Sequence, residues 1–181
     1  MGGRDKLLLE YEGNTLLQLA VKLLNCLKCC DKILVTTKAR LEHIILPPLV
    51  KVIINPDTTT GQSGSLRLGL EAAFGEWFLF LTADQPLLTP ACLQPLFELA
   101  AENTDKIIFP SAHGKPCTPA IFPARFRENL MNLTGDTGGR AIREAYPEAC
   151  LTFEVENPND FIDIDNEDDY LSLLRGMAAG W

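Results

Sequence analysis

The stretch Trp77-Phe78-Leu79-Phe80-Leu81-Thr82-Ala83-Asp84-Gln85-Pro86 decides the reading of the fold. From Trp77 to Thr82 it is apolar without alternation, and a short continuous apolar run bounded by a turn predicts a strand buried on both faces. An acidic loop follows at once. Ligands of open parallel sheets bind outside the carboxyl ends of the strands, so Asp84 is positioned to hold a divalent cation at the sheet edge. The plainer alternative is a turn in which the Asp side chain bonds its own backbone.

Working outward, Lys32 to Thr37 and Val50 to Asn55 are two earlier strands of the same kind, and Lys106 to Phe109 is a fourth. Helical spacing runs from Thr15 to about Cys30, from Ser63 to Phe74 and from Thr89 to Glu102. A short helix near Leu41 to Ile45 stops at Pro47-Pro48. The last third mixes shorter units: Pro119 to Phe122 and Leu151 to Val155 extended, and Arg125 to Met131, Gly138 to Ala145 and Glu167 to Leu174 helical. Strands alternating with helices predict a three-layer, Rossmann-like α/β domain with a mostly parallel sheet, spanning residues 1–181 as one unit.

Composition narrows the function. The 181 residues are 46% hydrophobic and 22% charged, enough apolar material for a large core. Asp and Glu number 24 against 16 Lys and Arg, a net charge of -8, which argues against broad phosphate neutralisation on a nucleic acid. No stretch approaches the roughly 20 apolar residues of a membrane span, and Met1 to Lys6 is too polar for a signal peptide. The cytoplasm is the expectation. Cys26, Cys29, Cys30, Cys92, Cys117 and Cys150 are then reduced thiols, and with only His43 and His113 to help, the isolated Cys26-x-x-Cys29 pair is a weak zinc signal.

Three further segments carry chemistry. Asp163-Ile164-Asp165-Asn166 alternates, which puts Asp163 and Asp165 on one side just before a helix, and Asp165 could simply cap that helix. Joined to Asp84, this acidic loop would make a Mg²⁺ site of few carboxylates completed by phosphate oxygens. Gly61-Gln62-Ser63-Gly64-Ser65 enters a helix, so its backbone N–H groups, hydroxyls and amide can approach a nucleotide, unless Ser63 merely caps. Gly135-Asp136-Thr137-Gly138-Gly139-Arg140 is a second glycine-rich helix entrance, suited to an anion. Neither matches a P-loop or a dinucleotide fingerprint.

In this order, Lys6-Leu7-Leu8 after Met1-Gly2, Gly61 to Leu66, Asp84-Gln85-Pro86, Pro119 to Phe122, Gly135 to Arg140 and Asp163 to Asp165 resemble the MobA-like nucleotidyltransferases over nearly the whole chain. The likeness is nearest to the molybdenum cofactor cytidylyltransferase (MocA) branch. It implies transfer of CMP from CTP to a molybdopterin-type phosphate acceptor, with release of pyrophosphate and with Mg²⁺ as cofactor. Lys6, Asp84 and Asp165 match the family's catalytic set: Asp84 and Asp165 its metal-holding acids, Lys6 its phosphate-binding lysine. By the same likeness Gly61, Gln62, Ser63 and Ser65 face the nucleotide, and Gly138, Gly139 and Arg140 face the acceptor. The Ser-x-Ser-Leu form resembles the CTP-using branch more than the GTP-using one. A molybdoenzyme or its chaperone is the implied protein partner, with no nucleic acid and no membrane.

The family also opens with a strand and a loop of the form L-A-A-G-x-S-x-R-M-G, and Met1-Gly2 matches only its close. The resemblance therefore implies a chain truncated at its N-terminus by a strand of about 5–6 residues and by the loop that wraps the triphosphate. Two other readings stay open: a non-catalytic, cofactor-binding relative, and a nucleotidyltransferase for another phosphorylated small molecule.

Overall fold

The computed structural model describes residues 5–176; Met1 and Gly2, part of the resemblance, lie outside them. A short antiparallel pair, β1 (Glu10–Tyr11) and β2 (Asn14–Thr15), turns through Glu12 and Gly13, both at positive φ. It feeds α1 (Leu16–Cys26), whose N-terminus is capped by the Thr15 hydroxyl accepting from the Gln18 N–H. Next come β3 (Ile33–Thr36), α2 (Lys38–Leu41), β4 (Lys51–Ile54), α3 (Gly61–Ala72) and β5 (Trp77–Phe80). The second half holds α4 (Gln94–Glu102), β6 (Ile107–Ala112), β7 (Lys115–Pro116), β8 (Ala120–Pro123), α5 (Arg127–Met131), α6 (Arg140–Ala145), β9 (Cys150–Glu154) and α7 (Glu167–Leu174).

The architecture is α/β, as read from the sequence. β3 and β4 pair in parallel. In the larger sheet β6 pairs in parallel with β9, while β8 runs antiparallel between β5 and β6, which makes β5, β6 and β9 co-directional. Among the described residues no strand hydrogen-bonds β3 to β5, so the expected continuous sheet is in two pieces.

Strand alternation divides the core into two layers. Ile107, Phe109, Ala120 and Phe122 face α3, α5 and α6, packing with Leu70, Leu130 and Ile142. Ile108, Ala112 and Ile121 face the opposite way, onto Leu23 of α1 and Leu93 and Leu96 at α4. One register therefore supplies both faces, and sliding a strand by one residue would exchange the layers.

Several helix starts differ from the sequence reading. α2 runs from Lys38 to Leu41 rather than from Leu41 to Ile45, because the Thr37 hydroxyl caps it by accepting from the Arg40 N–H. α3 begins at Gly61 rather than Ser63, and α5 at Arg127 rather than Arg125, after a 3₁₀ turn at Ala124–Phe126. α4 begins at Gln94 rather than Thr89, because a helix from Thr89 would hold Pro95 in its interior, without an N–H; the shorter helix keeps that proline in its first turn. Thr89 instead accepts from the Cys92 N–H in a turn. α6 begins at Arg140 rather than Gly138, since Gly138 and Gly139 are wedged against neighbours: a Cβ on Gly139 would lie 2.5 Å from the Phe122 ring.

Phe122 joins the sheet to this turn. It is 1% exposed and meets Phe80 edge to face at 5.7 Å between centroids. Phe122→Ala should destabilise the protein by about 3–5 kcal/mol, read as a lower urea midpoint with the denaturant slope unchanged. A loss below about 1 kcal/mol would refute that placement of the core.

Candidate functional site

Lys6 lies in a single 3₁₀ turn, Lys6–Leu8, opened by Asp5. The Asp5 carboxylate accepts from the Leu7 N–H and from the Arg40 guanidinium at 2.5 and 3.1 Å, which pins the turn to α2. Burial raises the Asp5 carboxyl, but these donors outweigh it and hold it below its ordinary range. The lysine is thereby aimed at the carboxyl edge of the sheet.

There the Lys6 ammonium donates to Asp84 Oδ2 at 2.6 Å and to Asp165 Oδ1 at 2.9 Å, across 78 and 159 residues of sequence. Burial alone would lower the lysine's pKa; the two carboxylates reverse that and raise it. The chain itself ties the two acidic loops, because the Ile164 N–H donates to the Asp84 carbonyl at 2.9 Å while the Ile164 side chain is buried. Gln85, also buried, fixes the Asp84 loop by donating to the carbonyls of Thr118 and Phe161.

The plainer alternatives for both acids fall away. Asp84 bonds no backbone group of its own turn: Oδ2 takes Lys6, and Oδ1 is buried with no partner among the described residues. Asp165 does not cap α7; Asn166 does, in a reciprocal box with Asp169, whose carboxylate also accepts the Asp165 N–H. The Asp165 side chain, 71% exposed against 18% for Asp84, is left to meet Lys6.

Asp163, near Asp165 in the sequence, has no role of its own among the expected site residues. Its carboxyl is pushed up to about 7, first by burial and then by the charges of Asp84 and Asp165, against a smaller opposing effect of Lys6. The signal in the sequence was its alternation with Asp165.

An orphaned, buried carboxylate oxygen beside a second carboxylate suits a hard divalent cation that takes few protein ligands and completes its shell with water and phosphate. Among the described residues no group of three or more His, Cys, Asp or Glu is arranged to hold a metal by itself. Asp84 and Asp165 fit a cation shared with a phosphate-bearing substrate.

The glycine-rich segments form a second cluster. α3 starts at Gly61 (φ +68°), with Thr60 before it and no side-chain cap; Ser63 is not the cap. Ser63 is fully buried, its hydroxyl donating to the Thr60 carbonyl and its N–H to the Gly135 carbonyl at 3.1 Å. The Gln62 N–H donates to Asp136 Oδ1 at 3.1 Å, and the Ser65 hydroxyl accepts from Asn55. A Cβ on Gly138 would lie 2.3 Å from Gln62 Oε1. Arg140, exposed, turns onto its own helix and pairs with Glu144 at 2.7 Å. Thus the segments read separately in the sequence touch each other, a contact that no local pattern announces.

The MobA-like NTP transferase domain family matches residues 1–150. The chain is similar to the molybdenum cofactor cytidylyltransferase of Escherichia coli (strain K12), 26% identical over 180 residues, covering 94% of this chain and 87% of that protein. It is also similar to the molybdenum cofactor guanylyltransferase of Pseudomonas syringae pv. syringae (strain B728a), 29% identical over 164 residues and covering 87% and 79%. Among solved structures it resembles Rv0371c from Mycobacterium tuberculosis H37Rv, with a TM-score of 0.80 at 20% identity over 96% of this chain and 90% of that one. The same protein in complex with manganese gives a TM-score of 0.75 at 21% identity over 96% and 93%.

The raised Asp163 carboxyl has a consequence for stability. The folded state keeps a proton there that the unfolded chain, near 3.8, releases earlier. The contribution is full below about pH 4 and is lost as pH rises through about 7. Asp163→Asn cannot ionise, so between pH 5 and pH 8 it should gain on the unaltered protein by about 2 kcal/mol in urea unfolding. An equal difference at the two pH values would contradict the assignment.

Proposed function

The chain belongs to the MobA-like NTP transferase domain family, and on that premise we propose that residues 1–181 form one such domain, moving CMP from CTP to a molybdopterin-type phosphate acceptor with release of pyrophosphate. The observation that carries the reading is the Lys6 ammonium between Asp84 and Asp165, with Asp84 Oδ1 buried and without a partner among the described residues. That arrangement supports a centre that handles a phosphate chain and a cation together.

In the proposed reaction an acceptor phosphate oxygen forms a bond to the α-phosphorus of the nucleotide. The bond from that phosphorus to the bridging oxygen breaks, and its electron pair leaves with pyrophosphate. Asp84 and Asp165 would hold Mg²⁺, which when bound offsets the charge that gathers as anions meet and pyrophosphate departs. Lys6 supplies a fixed positive charge at the same edge, kept protonated by its two carboxylate partners. The Asp5–Arg40 pair holds the turn that aims it. No side-chain nucleophile is required, because the acceptor brings its own.

Gly61, Gln62 and Ser65 line the nucleotide side in this reading, with Ser63 shaping the turn from inside, and Gly138, Gly139 and Arg140 belong to the acceptor side. CTP is preferred over GTP on the Ser63-Gly64-Ser65-Leu66 form and on the likeness to the E. coli cytidylyltransferase. The proposal takes the enzyme to be cytoplasmic and to pass product to a molybdoenzyme or its chaperone; among the described residues no helix is long and apolar enough to cross a membrane.

Thermal unfolding with Mg²⁺ and each of CTP, GTP, ATP and UTP tests the nucleotide: a ligand at about 100 times its dissociation constant adds about 2.7 kcal/mol. CTP should give the largest shift. Asp84→Asn should cut turnover by about a hundredfold or more, the scale of losing one electrostatic stabiliser, with the unfolding midpoint of the free protein nearly unchanged. An unaffected rate would rule out the assigned centre.

A further inference from the structure

The start of α3 and the turn before α6 meet across 74 residues of sequence, through the Asp136 side chain on the Gln62 N–H and through a main-chain bond from the Ser63 N–H to the Gly135 carbonyl. A Cβ on Gly61 would lie 2.6 Å from the Gly135 carbonyl carbon and oxygen and 2.8 Å from the Asp136 nitrogen, so the two chains touch where only glycine fits. Two of the first N–H groups of α3, on Gln62 and Ser63, are taken by Asp136 Oδ1 and the Gly135 carbonyl. From the other side Gly138 abuts the Gln62 side chain, and Gly139 rests on the Phe122 ring. A helix of 12 residues with no side-chain cap of its own is thus capped by a carboxylate from a different segment.

We infer that Asp136 is a positioning residue that clasps the nucleotide-side turn to the acceptor-side turn, so that nucleotide binding orders residues 135–140 and raises affinity for the acceptor. The inference rests on the nucleotidyltransferase reading. A carboxylate on helix N–H groups makes a charge-assisted bond that also meets the positive end of the helix dipole. Being solvent-facing, that bond contributes little to overall stability; among the described residues it is the side-chain hydrogen bond that joins the two turns, beside the Ser63–Gly135 main-chain bond and the packing of Gly138 on the Gln62 side chain. Ordering either turn restricts the other, and by linkage the coupling acts equally in both directions. Asp136 acts through Gln62 and its own turn and needs no contact with the reacting atoms.

Amide hydrogen exchange on the full chain with Mg²⁺ and CTP tests this, following residues 58–66 and 132–141 in the unaltered protein, Asp136→Ala and Asp136→Asn. CTP should slow exchange in both segments by about fivefold or more, the low end of ordinary coupling. In Asp136→Ala the slowing at 58–66 should remain and that at 132–141 should vanish; Asp136→Asn, which keeps an acceptor oxygen, should restore part of it. Without nucleotide, Asp136→Ala should speed exchange at Gln62 and Ser63 alone, whereas a general structural role would speed it across the sheet. Protection of 58–66 without 132–141 in the unaltered protein would overturn the clasp and leave the nucleotide reading standing. Protection of 132–141 that survives in Asp136→Ala would overturn the role of Asp136. If CTP, GTP, ATP and UTP all leave both segments unchanged, the functional reading fails and this inference with it.

Discussion

Like charges repel, and this protein gathers three carboxylates, Asp84, Asp163 and Asp165, around one ammonium. The Lys6 charge offsets two of them directly. The third is relieved by keeping its proton to about pH 7, which is what burial beside two other acids imposes. Such a cluster contributes little to folding and has to be held by everything around it. The hydrogen bond from Ile164 to the Asp84 carbonyl, the buried Gln85 amide and the Asp5–Arg40 pair are the holding parts.

The sheet supplies the platform. Apolar side chains on β6 and β8 alternate between two cores, and that double anchoring sets where the loops at the strand ends emerge. Phe122 links this platform to the glycine-rich turn before α6, and that turn in turn meets the start of α3. The acidic edge and the glycine cluster are therefore both held by the sheet, each on loops that few side chains fix.

Much of the fold was legible, and the misreadings have physical causes. Continuous apolar runs located the strands, since strands covered on both faces leave no other composition. Helix ends were less legible. Pro95 is acceptable in a first turn but not an interior, and the periodic apolar pattern extends past the point where that rule cuts it. At α7 the ends agreed with the reading, because Asn166 and Asp169 form a local capping box whose partners lie three residues apart. Asp165 and Asn166 are both good caps by type. Only the backbone at Asn166 decided between them, and that choice frees Asp165 for Lys6.

By itself the sequence determined which residues carry charge next to strand ends, where proline and glycine interrupt the helices, and that the chain alternates strand with helix. These are local properties, set by neighbours within a turn or a strand. Only the tertiary structure decided which acid meets which base and which glycine turn meets which helix. Lys6, Asp84 and Asp165 come together across 78 and 159 residues, and Gln62 meets Asp136 across 74. Such meetings depend on strand order and register, and no pattern of neighbouring residues contains them.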